Sequence, residues 1–376
     1  MARKGITRLP VGVKKEEALQ IMETLARVNN KIGRLEEKFN YSVVSEALVQ
    51  ILSLSESVES TRIEGTQVTF TDMVEERDDK QPRWEIIEVS NYQQALYEGY
   101  ERIKNGYPIS SRLIKELHQT LMSGARGSVQ SSGNYRKIQN FIGPTNKIAD
   151  ATYIPVPADE IETFMENLEF FINHHPYGEP LTTNHIDDKS YIFNEDADPL
   201  IKAAIMHAQF ESIHPFLDGN GRLGRILIVL YFIQSKTVTR PVFFVSEELE
   251  KERHRYYDML NGVRGDHPKW GAWILFFLNA CDRMAERINR KLEAAEQLAK
   301  RGLRLCHTDS EKRVWIYSFS DPFTTAKKVS KEVGVSPNTA RSALKTLADK
   351  QLLFTDTEVK RNRKYRNYDL MRILRD

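Results

Sequence analysis

Thirteen consecutive residues, Ile213-His214-Pro215-Phe216-Leu217-Asp218-Gly219-Asn220-Gly221-Arg222-Leu223-Gly224-Arg225, constrain this chain more than any other stretch. Ahead of them Leu200, Ile201, Ala204, Ile205, Ala208 and Ile213 recur at helical spacing, and Pro215 disfavours the α region for its predecessor, so a helix is expected to end at His214. Behind them Ile226 to Ile233 is apolar all round, the pattern of a helix sunk in a core. Between the two, Gly219 and Gly221 bracket Asn220 in a loop that runs into the positive end of the second helix. Backbone N–H groups converging there make an anion cradle. Arg222 and Arg225 share one face of the first turn, and each presents a planar fork suited to phosphate oxygens. A histidine at the mouth, a carboxylate (Asp218) beside the cradle and two arginines behind it supply base, metal ligand and charge clamp for phosphoryl chemistry. A His-Pro pair alone is a cap and a Gly-Asn-Gly run alone is a turn; their coincidence within so short a span carries the reading.

Every fixed position of the motif His-Pro-Phe-x-Asp-Gly-Asn-Gly-Arg-x-x-Arg is filled by His214 to Arg225, and on that ground the chain resembles the Fic family, whose members mostly transfer AMP from ATP to a hydroxyl side chain of a protein. The resemblance implies a mostly α fold, a Fic-type helical core with a short β-hairpin flap, and a nucleotidyltransferase that uses ATP and Mg²⁺. In that reading His214, an imidazole with the ordinary pKa of about 6.5, takes the proton of the target hydroxyl. Asp218 holds Mg²⁺ against the α- and β-phosphates. Backbone N–H groups of Gly219 to Gly221, with Asn220, stabilise the α-phosphate, in an ATP-binding stretch that continues through Arg222, Leu223, Gly224 and Arg225. Arg222 grips the β-phosphate and Arg225 the γ-phosphate.

Upstream, Lys14 to Phe39 and Ser42 to Thr61 have helical periodicity, and the second segment ends in Ser60-Thr61-Arg62-Ile63-Glu64-Gly65, with Gly65 a natural C-cap. Glu64 reads either as a solvated carboxylate or as one that needs a cation, because a negative charge at a helix C-terminus opposes the dipole. Fic proteins often carry an inhibitory helix of pattern Ser/Thr-x-x-x-Glu-Gly/Asn, which Ser60, Glu64 and Gly65 fit. The resemblance therefore implies autoinhibition, through a bidentate Glu64–Arg225 pair that displaces the γ-phosphate. A hydrolase removing AMP is the alternative within the same site, with Glu64 activating water.

Met1 to Val13 reads as a basic, proline-punctuated arm. Trp84 to Lys104 and Ser110 to Met122 are expected helices, the latter capped by Ser110 or Ser111. Tyr135 to Gly143 and Thr152 to Pro155 alternate like two strands of a hairpin. In the family this hairpin is the flap, which implies that Phe141, Ile142, Tyr153 and Ile154 position the target by main-chain pairing. Asp159 to His174 is an amphipathic helix. The histidines around its end, with His185, Asp187 and Asp188, match no zinc spacing. His207 and Glu211, four apart, could share a proton and orient the His214 loop. Ser246 to Val263 and Trp270 to Ala295 are further helices. The family places the nucleotide base near the double tyrosine, here Tyr256-Tyr257, which implicates Tyr257; where an Asn often follows, this chain has Arg264, a departure at the adenine contacts.

From Lys300 onward there are 18 Lys and Arg against 9 Asp and Glu, a local charge of +9, against −7 for the remainder. A basic end on an acidic body points to a polyanion for the former only. Glu311 to Phe319, Thr325 to Val333 and Asn338 to Asp349 read as helices with a turn at Gly334 and Ser336, and basic Lys360 to Lys364 lies between two apolar runs; together they resemble a winged helix, which could equally meet protein. This divides the chain into an N-terminal helical region with the inhibitory helix at 1–105, a Fic catalytic domain at 106–298 and a winged-helix domain at 299–376. The expected partners are a target protein offering Tyr, Thr or Ser, the chain itself through self-AMPylation or as a homodimer, and DNA, which would make the Fic site a switch on a regulator. Two cysteines without paired spacing, Cys281 and Cys306, no signal-like segment and no apolar run of membrane length give the expectation of a cytoplasmic protein.

Overall fold

A computed structural model describes residues 2–76, 81–124, 132–145, 147–178, 185–187, 190–355 and 363–375. Two short strands, β1 (Arg3–Lys4) and β2 (Val11–Lys14), precede the long helices α1 (Lys15–Tyr41) and α2 (Ser45–Ile63) and the short α3 (Phe70–Glu76). Next come α4 (Trp84–Lys104), α5 (Ser111–Leu121), β3 (Tyr153–Ile154), α6 (Ile161–Ile172), β4 (His185–Asp187) and β5 (Ser190–Phe193). The motif lies where α7 (Pro199–Ile213) hands over to α8 (Asn220–Gln234), and α9 (Ser246–Lys251), α10 (Arg253–Gly262) and α11 (Trp270–Leu305) follow. The chain closes with α12 (Asp309–Tyr317), β6 (Phe323–Thr325), α13 (Ala326–Val333), α14 (Pro337–Asp349), β7 (Phe354–Thr355), β8 (Lys364–Arg366) and α15 (Tyr368–Arg375). The fold is mostly α with few, short strands, as the sequence led us to expect. No helix among the described residues is long and apolar enough to cross a membrane.

The chain forms two compact units, Met1–Ile32 with Glu56–Val68 and Arg83–Met284, and Gly33–Ser55 with Thr69–Pro82 and Ala285–Asp376. In the first, Asp198 caps α7 by accepting from Leu200 N at 2.8 Å, and Pro199 occupies the first turn, where its missing N–H costs nothing. Every residue from Leu200 to Ile213 is then buried, with α6, α8 and α10 around it. The polar side chains of so deep a helix need partners. Lys202 Nζ donates to Glu195 O at 2.8 Å, and Gln209 Nε2 to Thr7 O at 3.0 Å. α4 packs on both α5 and α8, with Gly99 at the closest approach.

The N-terminal arm lies on the body: β1 pairs in parallel with β3, and β2 pairs antiparallel with β5, Val11 opposite Phe193. Several other expectations are corrected. Tyr135 to Gly143 forms no strand, because Arg136 is anchored through its backbone N–H to Pro215 O at 2.8 Å and by its guanidinium to several other carbonyls. Only an isolated antiparallel bridge, Ile142 to Tyr153, remains of the hairpin. The helix expected over Ser246 to Val263 breaks at Glu252 (φ −112°, ψ 32°). α11 runs beyond Ala295 to Leu305 because Leu298 and Ala299 continue its buried face.

In the second unit, Thr308, Thr325 and Ser336 cap α12, α13 and α14 through their hydroxyls, and β6, β8 and β7 form an antiparallel sheet in that order. Of the expected basic run, Lys360 to Asn362 lies outside the described residues.

The α4–α8 contact can be tested through Gly99. A Cβ there would lie 2.5 Å from Leu230 Cδ1 and 3.2 Å from Leu117 Cδ1. Overpacking of this kind costs about 1–3 kcal/mol, more than the roughly 1 kcal/mol that alanine gains over glycine in a helix. Gly99→Ala is therefore expected to lower the urea midpoint, with partial recovery in Gly99→Ala/Leu230→Val. An unchanged or raised midpoint would contradict the packing.

Candidate active site

His214 ends α7 in the left-handed conformation (φ 51°, ψ 60°), a region few residues other than glycine adopt. Its backbone is pinned on both sides. His214 N donates to Phe210 O at 3.0 Å, and Arg136 Nε donates to His214 O at 3.0 Å. Arg136 NH2 reaches Val156 O at 2.5 Å and Ile213 O at 3.5 Å, so one buried guanidinium ties the end of α7 to the segment after β3. The imidazole is bound through Nδ1, 3.3 Å from Glu211 O, which places the proton on Nδ1 and leaves the Nε2 lone pair free to accept another. Burial first, then the nearby Arg264 and Arg136 charges, lower the His214 pKa to about 4, not the ordinary value expected from the sequence. The ring is neutral at pH 7.

The loop itself is closed by Asn220. Phe216 N donates to Asn220 Oδ1 and Asn220 Nδ2 to Phe216 O, both at 2.9 Å. The Asn220 side chain is thus a brace, and its backbone N–H is what it offers an anion. Gly219 (φ 77°) is required twice over, by its left-handed backbone and because a Cβ would stand 2.9 Å from Met122 Sδ.

Three supporting residues escaped the sequence reading. His118, on the apolar face of α5, stacks on Phe216 with ring centroids 3.8 Å apart; its Nδ1 accepts from Gly133 N at 2.9 Å, so Nε2–H donates to Asp218 O at 3.0 Å. Arg136 is described above. Arg264, where the family motif suggested an adenine contact, is a buried scaffold: it donates to Ser212 Oγ at 3.2 Å, Glu211 O at 3.1 Å and Asn261 Oδ1 at 2.8 Å, and lies 4.1 Å over the Tyr153 ring. The available signal was a lone polar residue among apolar helical neighbours at His118; Arg264 stood out only as a departure from the family pattern, and nothing local marks Arg136.

Ser60, Glu64 and Arg225 come together, as the resemblance implied. Arg225, 1% exposed, donates from Nε to Ser60 Oγ at 2.7 Å and from NH2 to Ser60 O at 2.9 Å and Glu64 Oε1 at 2.6 Å. The expected bidentate pair is therefore monodentate, since Ser60 occupies the remainder of that edge. Glu64 Oε1 stands over Gly221, so close that a Cβ there would collide with it. The carboxylate thus stands against the first turn of α8, on the Arg225 side. Burial tends to raise its pKa, but Arg225 outweighs this and holds the pKa below the ordinary carboxylate value. Arg222 is buried with NH1 3.4 Å from Glu88 and NH2 3.5 Å from Asp218, and its Nε and NH1 have no hydrogen-bond partner among the described residues. Leu223 and Gly224 lie in the first turn of α8; Leu223 N donates to Gly219 O at 3.0 Å, and a Cβ on Gly224 would come 2.7 Å from Glu211 Oε1.

His207 and Glu211 do not bond to each other. His207 Nε2 lies 2.8 Å from Tyr256 Oη, and the Glu211 carbonyl, rather than its carboxylate, orients His214. Tyr257 is partly exposed, its hydroxyl 3.5 Å from Ile63 O, with a pKa pushed up to about 12 by burial and by Glu64. Of the expected flap residues, Tyr153 is fully buried, donating to Ser212 O at 2.6 Å, and Ile154 pairs with β1; Phe141 and Ile142 are half-buried. Asp218 is exposed and its Oδ1 accepts from Gly219 N at 2.6 Å. No cluster of three metal-ligating side chains exists among the described residues. One carboxylate beside a cradle suits Mg²⁺, which takes most of its ligands from phosphates and water.

A profile of the Fic/DOC family matches residues 108–232, and one of the Fic/DOC family N-terminal region matches residues 22–101. The chain is 27% identical over 199 residues to a probable protein adenylyltransferase of Aquifex aeolicus, covering 51% of this chain and 52% of that one. It is 24% identical over 159 residues to the protein adenylyltransferase Fic of Aedes aegypti, covering 42% and 25% respectively. It thus spans about half the length of the first relative and a quarter of the second. In fold it is similar to the crystal structure of a Fic family protein from Desulfovibrio desulfuricans G20, with a TM-score of 0.55 and 21% identity over 92% of this chain and 95% of that one.

The neutral histidines beneath the cradle make stability depend on pH. Burial, then the charge of Arg225, lower the His207 pKa to about 3. Between about pH 6.5 and that value the unfolded chain holds a proton that the fold excludes, so this residue's contribution is complete at neutral pH and falls as the pH drops, by about 1.4 kcal/mol per pH unit. Urea unfolding at pH 7, 6 and 5 is expected to show a shallower decline in His207→Gln than in the parent. Parallel declines would contradict the burial of a neutral imidazole.

Proposed function

Because the chain belongs to the Fic family, we propose that it is a protein adenylyltransferase, moving AMP from ATP to a hydroxyl side chain of a target protein and onto itself, and that Glu64 holds it in check. The observation that carries the reading is the neutral His214 imidazole, its Nδ1 held on Glu211 O and its Nε2 lone pair available, next to a cradle whose glycine backbone admits an anion.

In this mechanism the triphosphate lies along the start of α8, where backbone N–H groups of Gly219 to Gly221 meet the α-phosphate and the helix dipole favours its charge. Arg222, held by long contacts to Glu88 and Asp218, takes the β-phosphate. Phe141, next to the Ile142–Tyr153 bridge that holds this segment, offers main chain to the target, which sets the accepting hydroxyl in line. His214 Nε2 accepts the hydroxyl proton as the oxygen bonds to the α-phosphorus and the bond to pyrophosphate breaks. Asp218 would hold Mg²⁺, which when bound neutralises charge building on the phosphates. Tyr257 lines the nucleoside side. Arg225 belongs to the γ-phosphate, but Glu64 holds it at 2.6 Å. ATP then binds with its γ-phosphate displaced and its α-phosphate out of line, a misplacement worth about two orders of magnitude in rate.

His214→Ala is expected to lose about 10²–10⁴-fold in label transfer from ATP while still binding nucleotide. Near-normal turnover would remove the general base. Glu64→Gly is expected to raise self-AMPylation at least tenfold, with Arg225→Ala in that background losing most of the gain. A Glu64→Gly protein no more active than the parent would return Glu64 to an ordinary helix-end carboxylate.

A further inference from the structure

The helices α12 to α14 and the sheet β6-β8-β7 take no part in the chemistry above. α13 stops at Gly334 in the left-handed region (φ 71°), and α14 restarts at once with Ser336 Oγ accepting from Thr339 N at 3.1 Å. This is a helix-turn-helix connection. α14 buries Ala340, Ala343, Leu344 and Leu347 on the side it packs against α12 and α13. Asn338, Arg341, Ser342 and Lys345, spaced i, i+3, i+4 and i+7, form an exposed stripe on the other side.

The chemistry of the stripe is specific. Several cations of this segment are matched by carboxylates, as in Lys350–Glu311 at 2.9 Å, Lys328–Asp321 at 3.7 Å and Arg301–Asp369 at 3.0 Å. Arg341 and Lys345 pair with no carboxylate among the described residues; Arg341 NH1 donates only to Asn338 Oδ1, at 2.8 Å, within the stripe itself. A stripe without apolar side chains lacks the core of a protein interface, and one without aromatics lacks the stacking platform of a single-strand binder. An arginine and an asparagine side by side on an exposed helix, with Lys345 below, are the donors that read guanine and adenine edges and grip phosphate. The charge from Lys300 onward, 18 cations against 9 anions, favours a polyanion.

We propose that α14 is a DNA-reading helix, which enters the major groove of duplex DNA with Asn338, Arg341, Ser342 and Lys345 on base edges and the flanking phosphates. Fluorescence anisotropy with the full chain and a labelled pool of random-sequence duplexes, roughly two helical turns long, tests this. Binding is expected to weaken steeply with KCl. Arg341→Ala/Lys345→Ala, both exposed and outside the nucleotide site, is expected to lose at least about tenfold in affinity at fixed salt and to flatten the log–log salt slope by about 2. Asp349→Asn, which removes an acid from the end of the same helix, is expected to tighten binding, and it decides the matter if the double variant melts early. No binding by the full chain, parental affinity in the double variant, or equal competition by single-stranded DNA would overturn the proposal.

Discussion

A guanidinium taken out of water must have its donors satisfied, and Arg225, almost wholly buried, meets Ser60 and the Glu64 carboxylate. Its fork has one edge on Ser60 and Glu64, and the Glu64 carboxylate stands against Gly221 at the start of α8, where the helix dipole favours negative charge. In the proposed mechanism the contact that satisfies Arg225 without nucleotide is also the one that would hold the nucleotide in the wrong pose. The helix end that carries Glu64 must shift for Arg225 to change partners, and such a shift is a change in population rather than a new fold.

The cradle depends in turn on a loop that Asn220 braces from within and that distant side chains hold from outside. His214 sits in a left-handed conformation, and the carbonyls of Ile213, His214, Pro215 and Asp218 are each taken by donors from elsewhere: the Arg136 backbone and guanidinium, and His118. The same charges that fix the loop help keep His214 neutral, so one set of arginines both sets the geometry and would prepare the proposed base.

This explains what could and could not be read from the residues. The motif, the two helices around it, the Glu64 helix and the helix starts at Ser110 and Ser336 were legible because each is a local pattern of periodicity, capping or glycine placement. His118, Arg136 and Arg264 were not, since a buried side chain that serves distant carbonyls leaves no local trace. The expected flap strand failed for the same reason: alternation over Tyr135 to Gly143 suggested pairing, but the backbone N–H of Arg136 was committed to Pro215. His214 itself was placed correctly and its titration misjudged, because an ordinary pKa assumes water that the site excludes.

Calorimetric titration of ATP and ADP into the parent and into Glu64→Gly tests the exchange at Arg225 most directly. If Glu64 and the γ-phosphate compete for one guanidinium, the ratio of ATP to ADP affinity rises at least tenfold on removing Glu64, while ADP affinity barely moves. An unchanged ratio, with both proteins otherwise binding normally, would mean that Arg225 does not hold the γ-phosphate and that the ion pair regulates nothing.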